Sequence, residues 1–456
     1  MSVNRRIGML GRVLMVGGML WLSAIPEAYG APEGLPPFPW DLSTSLALAG
    51  QGNLDLAQAE AATYIAEGSY HRSLGGYLPS LGASYNFNRS GRDFASYIAE
   101  WGPVAADKGA SNSWSLGASL RQSLIDLPTA YTIRSSKKQM ASARYALKAA
   151  ELDVALAVTQ QHYALMYAVK LSQVANEAVQ LATDQFRRTE SLYELGSVPR
   201  ADVLQSRVSM ASSELDLISA RNTVRNQQAE LALALGLPSN LEIIIDTTVS
   251  IPDLDRIWDE TELAEMAMRD RADLLQARID LRAMQDQVSS RKWSHWPTMG
   301  MSLYYSKQEE TFDESLKNLD ANLRWGLSVS LDMNLNPIDH FLVGSTKGSV
   351  EEAVWRERQQ KRGLQKKELE VLLEIRQAIL AWEEGKERLA SAQENLTYAQ
   401  ENLKLQKALY EGGGGTLLEW NNAQVELTRA RVEVVDAQVS ILTAKASLER
   451  SVGQKL

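Results

Sequence analysis

Between Pro128 and Pro199 the chain has no proline, and its only glycine there is Gly196. From about Ser135 to Leu195 it is rich in Ala, Leu, Gln, Glu, Lys and Arg, which enter a helix at little cost. A continuous helix of about 60 residues spans roughly 90 Å, whereas a typical globular helix has about 11–12 residues. The second half repeats the pattern, with no proline after Pro337. Leu204, Val208, Ala211, Leu215 and Ile218 are spaced in steps of four and three, and Leu389, Leu396, Leu403 and Tyr410 recur every seven. That is the seam of a coiled coil. The rods are expected to fold back in hairpins, one tip at about 196–200 (Gly196 to Pro199) and one at about 412–416 (Gly412, Gly413, Gly414 and Gly415). Glycine after one helix and proline before the next are the expected punctuation.

The chain also repeats itself. An offset of 217 carries Tyr193 to Tyr410, Gly196 to Gly413, Asp202 to Glu419 and Gly236 to Gly453. An offset of 218 carries Asp55-Leu56 to Asp273-Leu274 and Pro79 to Pro297, and an offset of 211 carries Trp114 to Trp325. Residues 31–236 read as a first repeat, 237–259 as a linker with an apolar Ile243-Ile244-Ile245 run, and 260–456 as a second repeat. The linker either holds a short strand or simply crosses between the halves.

Four segments have period two, at about 78–88, 114–125, 297–306 and 325–335. Trp325, Leu327, Val329, Leu331, Met333 and Leu335 alternate with Gly, Ser, Asp or Asn. A bilayer-spanning strand needs about 9–11 residues, apolar toward lipid and polar toward a wet lumen. Trp114, Trp325, Tyr85 and Tyr305 fall where an interfacial girdle would sit. A soluble sheet with one face on a core alternates in the same way. Export favours the membrane reading. Arg5, Arg6 and Arg12 precede an apolar stretch from Val13 to Leu22, and Ala28-Tyr29-Gly30 offers a cleavage site, so residues 1–30 read as a signal peptide. Four strands cannot close a barrel, and an open edge in lipid leaves backbone groups unpaired. Several chains must then share one barrel, two, three or more satisfying the rule.

The chain has no cysteine, which excludes disulfides, thiolate metal sites and a cysteine nucleophile. A net charge of −9 argues against nucleic-acid binding. His71, His162, His295 and His340 lack metal-ligand spacing, and no nucleotide-binding fingerprint is present. No cofactor and no enzymatic activity are expected. Basic doublets such as Arg187-Arg188 read most simply as solvated helix faces, though this one lies a few turns from a hairpin tip.

The tandem repeat, the Leu78-Pro79-Ser80-Leu81 lead-in to the first strand, the two Asp-Leu pairs and the Tyr-x-x-Gly tips at Tyr193 and Tyr410 together resemble the TolC-like outer-membrane efflux protein family, from Leu42 to Gly453. The resemblance implies a mainly α protein with a membrane β-barrel. Three chains would share twelve strands in the outer membrane, and their helical hairpins would form an α-barrel extending into the periplasm. It implies a passive exit duct for efflux or type I secretion, gated at its periplasmic tip. Its partners would be a periplasmic adaptor and an inner-membrane pump of the RND, ABC or MFS type, with outer-membrane lipid around the barrel. The competing reading is a structural coiled-coil surface or periplasmic protein without transport activity.

The family places acidic side chains in the pore at the start of the last helix. Here Glu419 fills the first such position, Asn422 stands three residues on in place of an acid, and Asp202 fills the matching start in the first repeat. The alternative for Glu419 and Asp202 is a helix-start carboxylate meeting the macrodipole. A basic residue that some members carry on the last tip is replaced by Gly415, which removes any lock made through it.

Overall fold

The computed structural model describes residues 36–91, 110–248, 254, 256–312, 315, 323–333 and 344–454. The expected signal peptide, His340 and the end of the fourth strand at Leu335 lie outside them. In chain order the elements are α1 (Leu42–Gly52), α2 (Leu54–Gly75), β1 (Ser80–Gly91), β2 (Ala110–Ile125), α3 (Leu127–Glu194), α4 (Arg200–Ala234), α5 (Glu260–Asp270), α6 (Ala272–Lys292), β3 (Thr298–Glu309), β4 (Leu323–Asp332), α7 (Ser345–Glu411) and α8 (Leu417–Val452).

α3 has 68 residues and α7 has 67, so each is about 100 Å long at 1.5 Å per residue. α3 begins eight residues earlier than composition suggests. Pro128 sits in its first turn, where no backbone N–H is needed, and Asp126 accepts from the Thr129 N–H at 3.0 Å to cap it.

The chain forms two compact units. One contains the chain up to Ala57, Asp153–Arg256 and Ala381–Ala446. Its core gathers Trp40, Leu48, Val158, Leu165, Leu231, Leu235, Ile243 and Ile245, and each fully buried aliphatic side chain contributes about 1.5–3 kcal/mol. Among the described residues of the 237–259 segment, Ile245 forms a parallel bridge with Trp40. Ile243 and Ile245 point into the core while Ile244 is exposed. Gly236 has φ +72°, and a Cβ there would lie 1.9 Å from the Gly52 carbonyl oxygen. Only glycine admits both that conformation and that approach.

The second unit contains Gln58–Leu152, Ile257–Leu380 and Ser447–Leu456. Its helical core joins Leu263, Leu274, Val371, Ile375, Leu448 and Val452. Beside it, buried Arg271 pairs with Asp273 at 2.9 Å and donates to the Ser451 carbonyl at 3.1 Å. The repeat shows again here. Asn53, equivalent to Arg271, donates to the Ala234 carbonyl at 2.7 Å, and Ala234 is the equivalent of Ser451.

The same unit carries an antiparallel sheet in the order β1-β2-β3-β4. Its register aligns rows of side chains: Leu81, Leu120, Leu303 and Leu327 in one row, and Ala83, Ala118, Tyr305 and Trp325 in the next. Directly opposed residues share a face, so one face is nearly all apolar. The other carries Ser84, Ser115, Arg121, Ser302, Ser328 and Gly326, the last covered by the Tyr304 ring. The apolar face is not a core. Leu81 is 80% exposed, Trp325 70% and Leu331 71%. This excludes a soluble sheet packed on a core of its own chain.

Part of the coiled-coil seam is likewise exposed among the described residues. Leu204, Val208, Leu215 and Ile218 on α4 are each more than half exposed, whereas Leu389 and Tyr410 on α7 are buried. Heptad spacing marks a face that seeks a partner without saying which chain supplies it.

His162 of α3 is buried in the first unit, its Nδ1 3.1 Å from Ser45 Oγ. Burial lowers its pKa to about 4, against the opposing pull of the Asp41 and Asp246 carboxylates. The folded pKa lies below the unfolded value, so the stabilisation is complete above about pH 6.5 and is lost as pH falls toward 4. We predict that the melting temperature falls between pH 7 and pH 4.5, and that His162→Leu flattens this dependence. An unchanged slope in the variant would remove His162 as its source.

Candidate functional site

The two helical turns lie together in the first unit. Just after α3 comes Gly196, which has φ +75°. The Gly196 N–H donates to the Tyr193 carbonyl at 2.8 Å and the Ser197 N–H to the Leu192 carbonyl at 2.9 Å. α7 ends identically: Gly413 has φ +77° and donates to the Tyr410 carbonyl at 3.1 Å, and Gly414 donates to the Leu409 carbonyl at 2.9 Å. Both are Schellman motifs, which satisfy the last helical carbonyls and demand a left-handed residue. The next helices start differently. α4 follows Pro199 with no side-chain cap. α8 opens with a capping box. Glu419 Oε2 accepts from the Thr416 N–H and the Thr416 hydroxyl, both at 2.8 Å, and the Glu419 N–H donates to Thr416 Oγ1 at 3.3 Å.

The two hairpins are tied to each other. Tyr410 is buried, its ring 5.2 Å from that of Trp420, and its hydroxyl donates to Asp202 Oδ2 at 3.4 Å. Burial raises the Tyr410 pKa, and the Asp202 carboxylate adds to the effect. Arg188 pairs with Glu411 across the same groove. Gln185, 1% exposed, donates to Asn421 Oδ1 at 2.7 Å, while its own Oε1 is buried with no partner among the described residues. Tyr410, Leu417, Trp420, Leu192, Val198 and Leu403 form the apolar filling.

The structure therefore separates residues that the sequence groups together. Asp202 faces the other hairpin. Glu419 and Asn422 lie on the exposed side of α8, opposite buried Leu417, Trp420, Ala423 and Leu427. The helix-start role of Glu419 is realised in full. Its hydrogen bonds from Thr416 hold its pKa below the usual glutamate value, so it is ionised at neutral pH. Gly196, Gly412, Gly413 and Gly414 are exposed at the two turns. A Cβ on Gly415 would lie 3.1 Å from Leu409 Cβ and from the Tyr410 N. Reasoning from sequence missed Gln185, Glu411 and Trp420, and read Arg187-Arg188 most simply as a solvated helix face near a tip. The Thr416-x-x-Glu419 signature was the one legible hint.

In the second unit all four expected girdle residues lie on the apolar face. Tyr305 is directly opposite Trp325. Trp114 lies one row beyond Tyr85, its ring 5.8 Å from that of Tyr85 and 4.3 Å from that of Phe87. Trp293 and Trp296 stack edge-on at 4.9 Å where the chain enters β3. Tyr305 lies nine residue steps beyond Trp296. At about 3.3 Å per residue and a 40° tilt they rise roughly 23 Å, close to the ~25 Å apolar band of a membrane barrel. Lys307 and Glu309 share this face, 3.7 Å apart, with Lys307 buried.

A family model described as outer membrane efflux protein matches residues 46–237 and 263–454. None of the curated proteins compared matches the chain. Among solved structures, CusC is similar with a TM-score of 0.77 at 17% identity, covering 91% of this chain and 92% of that one. The CmeC outer membrane channel of Campylobacter jejuni has a TM-score of 0.76 at 18% identity, covering 90% and 85%. The outer membrane protein VceC of Vibrio cholerae has a TM-score of 0.76 at 18% identity, covering 91% and 96%. At these identities the likeness establishes the fold.

The capping box generates a local prediction. An N-cap threonine contributes about 1 kcal/mol, so Thr416→Ala should speed amide exchange over residues 417–420 roughly fivefold and leave α4 unchanged. Equal protection in wild type and variant would show that the box contributes nothing.

Proposed function

Because the chain belongs to the outer membrane efflux protein family, we propose that it is one protomer of a passive exit duct, closed at its helical turns and opened by a periplasmic adaptor acting with an inner-membrane pump. The protein is an outer-membrane efflux channel, with helices extending into the periplasm. The carrying observation is the sheet, whose apolar face is exposed and whose strands number four. Three chains supply twelve strands, enough to close a barrel; spanning barrels begin at about eight. The duct performs no chemistry, and the pump supplies the energy. A non-transporting coiled-coil spacer gives no reason for leucines and tryptophans to point outward from a sheet.

The turns are read as the gate. Tyr410 to Asp202 is a long hydrogen bond, and Arg188 to Glu411 is a half-exposed ion pair. An exposed pair is worth about 0–1 kcal/mol, weak enough for a docking protein to break. The groove lined by Arg187, Arg188, Ser191, Leu192, Glu411 and Trp420 offers such a protein a surface with charge and an aromatic anchor. Glu419 and Asn422 project from the free side of α8, and a ring of ionised Glu419 carboxylates would favour cations.

Single-channel recording in planar bilayers tests both parts. Arg188→Ala combined with Tyr410→Phe should raise conductance or open probability several-fold over wild type. Glu419→Gln should lower cation preference without removing the channel. Wild-type currents from the double variant would refute the gate. Unchanged selectivity in Glu419→Gln would remove Glu419 from the constriction.

A further inference from the structure

The polar face of the sheet carries charges that the proposed gate does not use. Its residues are mostly small and uncharged, among them Ser84, Ser302, Ser306 and Ser328. Among the described residues of the four strands, three positions on this face are charged. Arg121 stands on β2 in the row of Ser80, Ser302 and Ser328, and Arg324 stands on β4 opposite Ser306. Asp332 ends β4 opposite Thr298. Both arginine side chains are exposed, and neither reaches a carboxylate among the described residues. Asp332 is too far along the sheet to neutralise Arg121. It lies four residues beyond the Arg121 row and two strands across, a backbone offset of roughly 13 Å by 10 Å at ordinary sheet spacing. The screening length in physiological salt is only about 8 Å. From Arg324 it is eight residues away on the same strand. The other charges of the strands, Arg89, Lys307 and Glu309, fall on the apolar face.

We propose that Arg121 and Arg324 form two positive rings inside the shared barrel, which make this end of the duct selective for anionic solutes. The proposal rests on the reading of the chain as one protomer of a closed barrel. Closure with the apolar face toward lipid turns the polar face to the lumen, and each copy then contributes two guanidinium groups against one carboxylate. Guanidinium stays charged at every pH a cell meets. The surrounding wall supplies hydroxyls and glycines but no acid to pair with it, so the long arginine side chains reach furthest toward the axis. A passage lined by one sign of charge within a low-dielectric wall focuses the field and enriches counter-ions, and rings of Arg or Lys favour anions. The sign is opposite to that of a Glu419 ring at the turns. The two ends of the duct therefore discriminate in opposite senses, and the preference of the barrel shows alone once Glu419 is neutralised.

The native chain has no cysteine, so an engineered thiol reports cleanly. Ser328→Cys places one in the Arg121 row. In isolated outer membranes at low salt it should react several-fold faster with an anionic methanethiosulfonate than with a cationic one, each rate being divided by that of a free thiol in solution. Arg121→Gln should remove most of this preference. So should about 1 M salt, where the screening length is about 3 Å. Equal rates for the two reagents, or a preference that survives Arg121→Gln, overturn the ring. A folded oligomer in which Ser328→Cys resists both reagents puts this face out of water and overturns the barrel reading as well. Single-channel recording is the second measurement. Under a KCl gradient, Arg121→Gln with Arg324→Gln in the Glu419→Gln background should lower the chloride-to-potassium permeability ratio several-fold. An unchanged ratio overturns the rings and leaves the channel reading intact.

Discussion

The backbone hydrogen-bonding groups on the two edges of one four-stranded sheet govern the rest of the molecule. In hydrocarbon an unpaired N–H or C=O costs several kcal/mol, and there is no water to meet it. Among the described residues, β1 and β4 pair on one side only. Their outward leucines and aromatics make the sheet unstable in water, and its edges make it unstable alone in lipid. Only closure with further copies satisfies both conditions. Oligomerisation is thus required by the sheet, and the helices inherit whatever symmetry the closure sets.

The tandem repeat makes that symmetry finer than the number of chains. Among the described residues four left-handed glycines punctuate the helices, and Gly196 and Gly236 in the first half each stand 217 residues before their counterparts Gly413 and Gly453 in the second. The Asn53 and Arg271 side chains reach matching carbonyls at matching helix ends. Each chain therefore presents two similar modules. The halves have nonetheless diverged where their surroundings differ. Asp273 is held by Arg271 in a buried pair, whereas Asp55 is exposed because its neighbour at the corresponding position is Asn53.

Features set by local periodicity were legible in the sequence. The strands were visible because alternation is a property of each strand by itself, and the register keeps Leu81, Leu116, Leu120, Leu303, Leu327 and Leu331 on one face. The long helices were visible because proline is absent. The seam at Leu204 to Ile218 was visible as a seam, but its exposure was not, since spacing does not identify the partner. Asp202 and Glu419 looked alike because both start a helix at equivalent positions. They differ in the structure because Thr416 captures one carboxylate locally while Tyr410, 208 residues away in sequence, engages the other. Long-range partners of that kind leave no pattern along the chain.

The Gly412–Gly415 run then acquires a physical meaning. One glycine, Gly413, is required by the left-handed turn. Its neighbours are not, and glycine weakens a helix end by widening the conformations available to the unfolded turn. The second hairpin compensates with the capping box that starts α8 and with the buried ring of Tyr410 against Trp420. The first hairpin, with Pro199 to stiffen it, has no such cap. A turn of low intrinsic order, bordered by well-fixed helix ends, confines movement to four residues. Under the proposed gating, the helices on either side could shift as rods while the turn absorbs the change in backbone angles. The bonds broken would be the few weak ones between hairpins, and the helical hydrogen-bond ladders would remain intact.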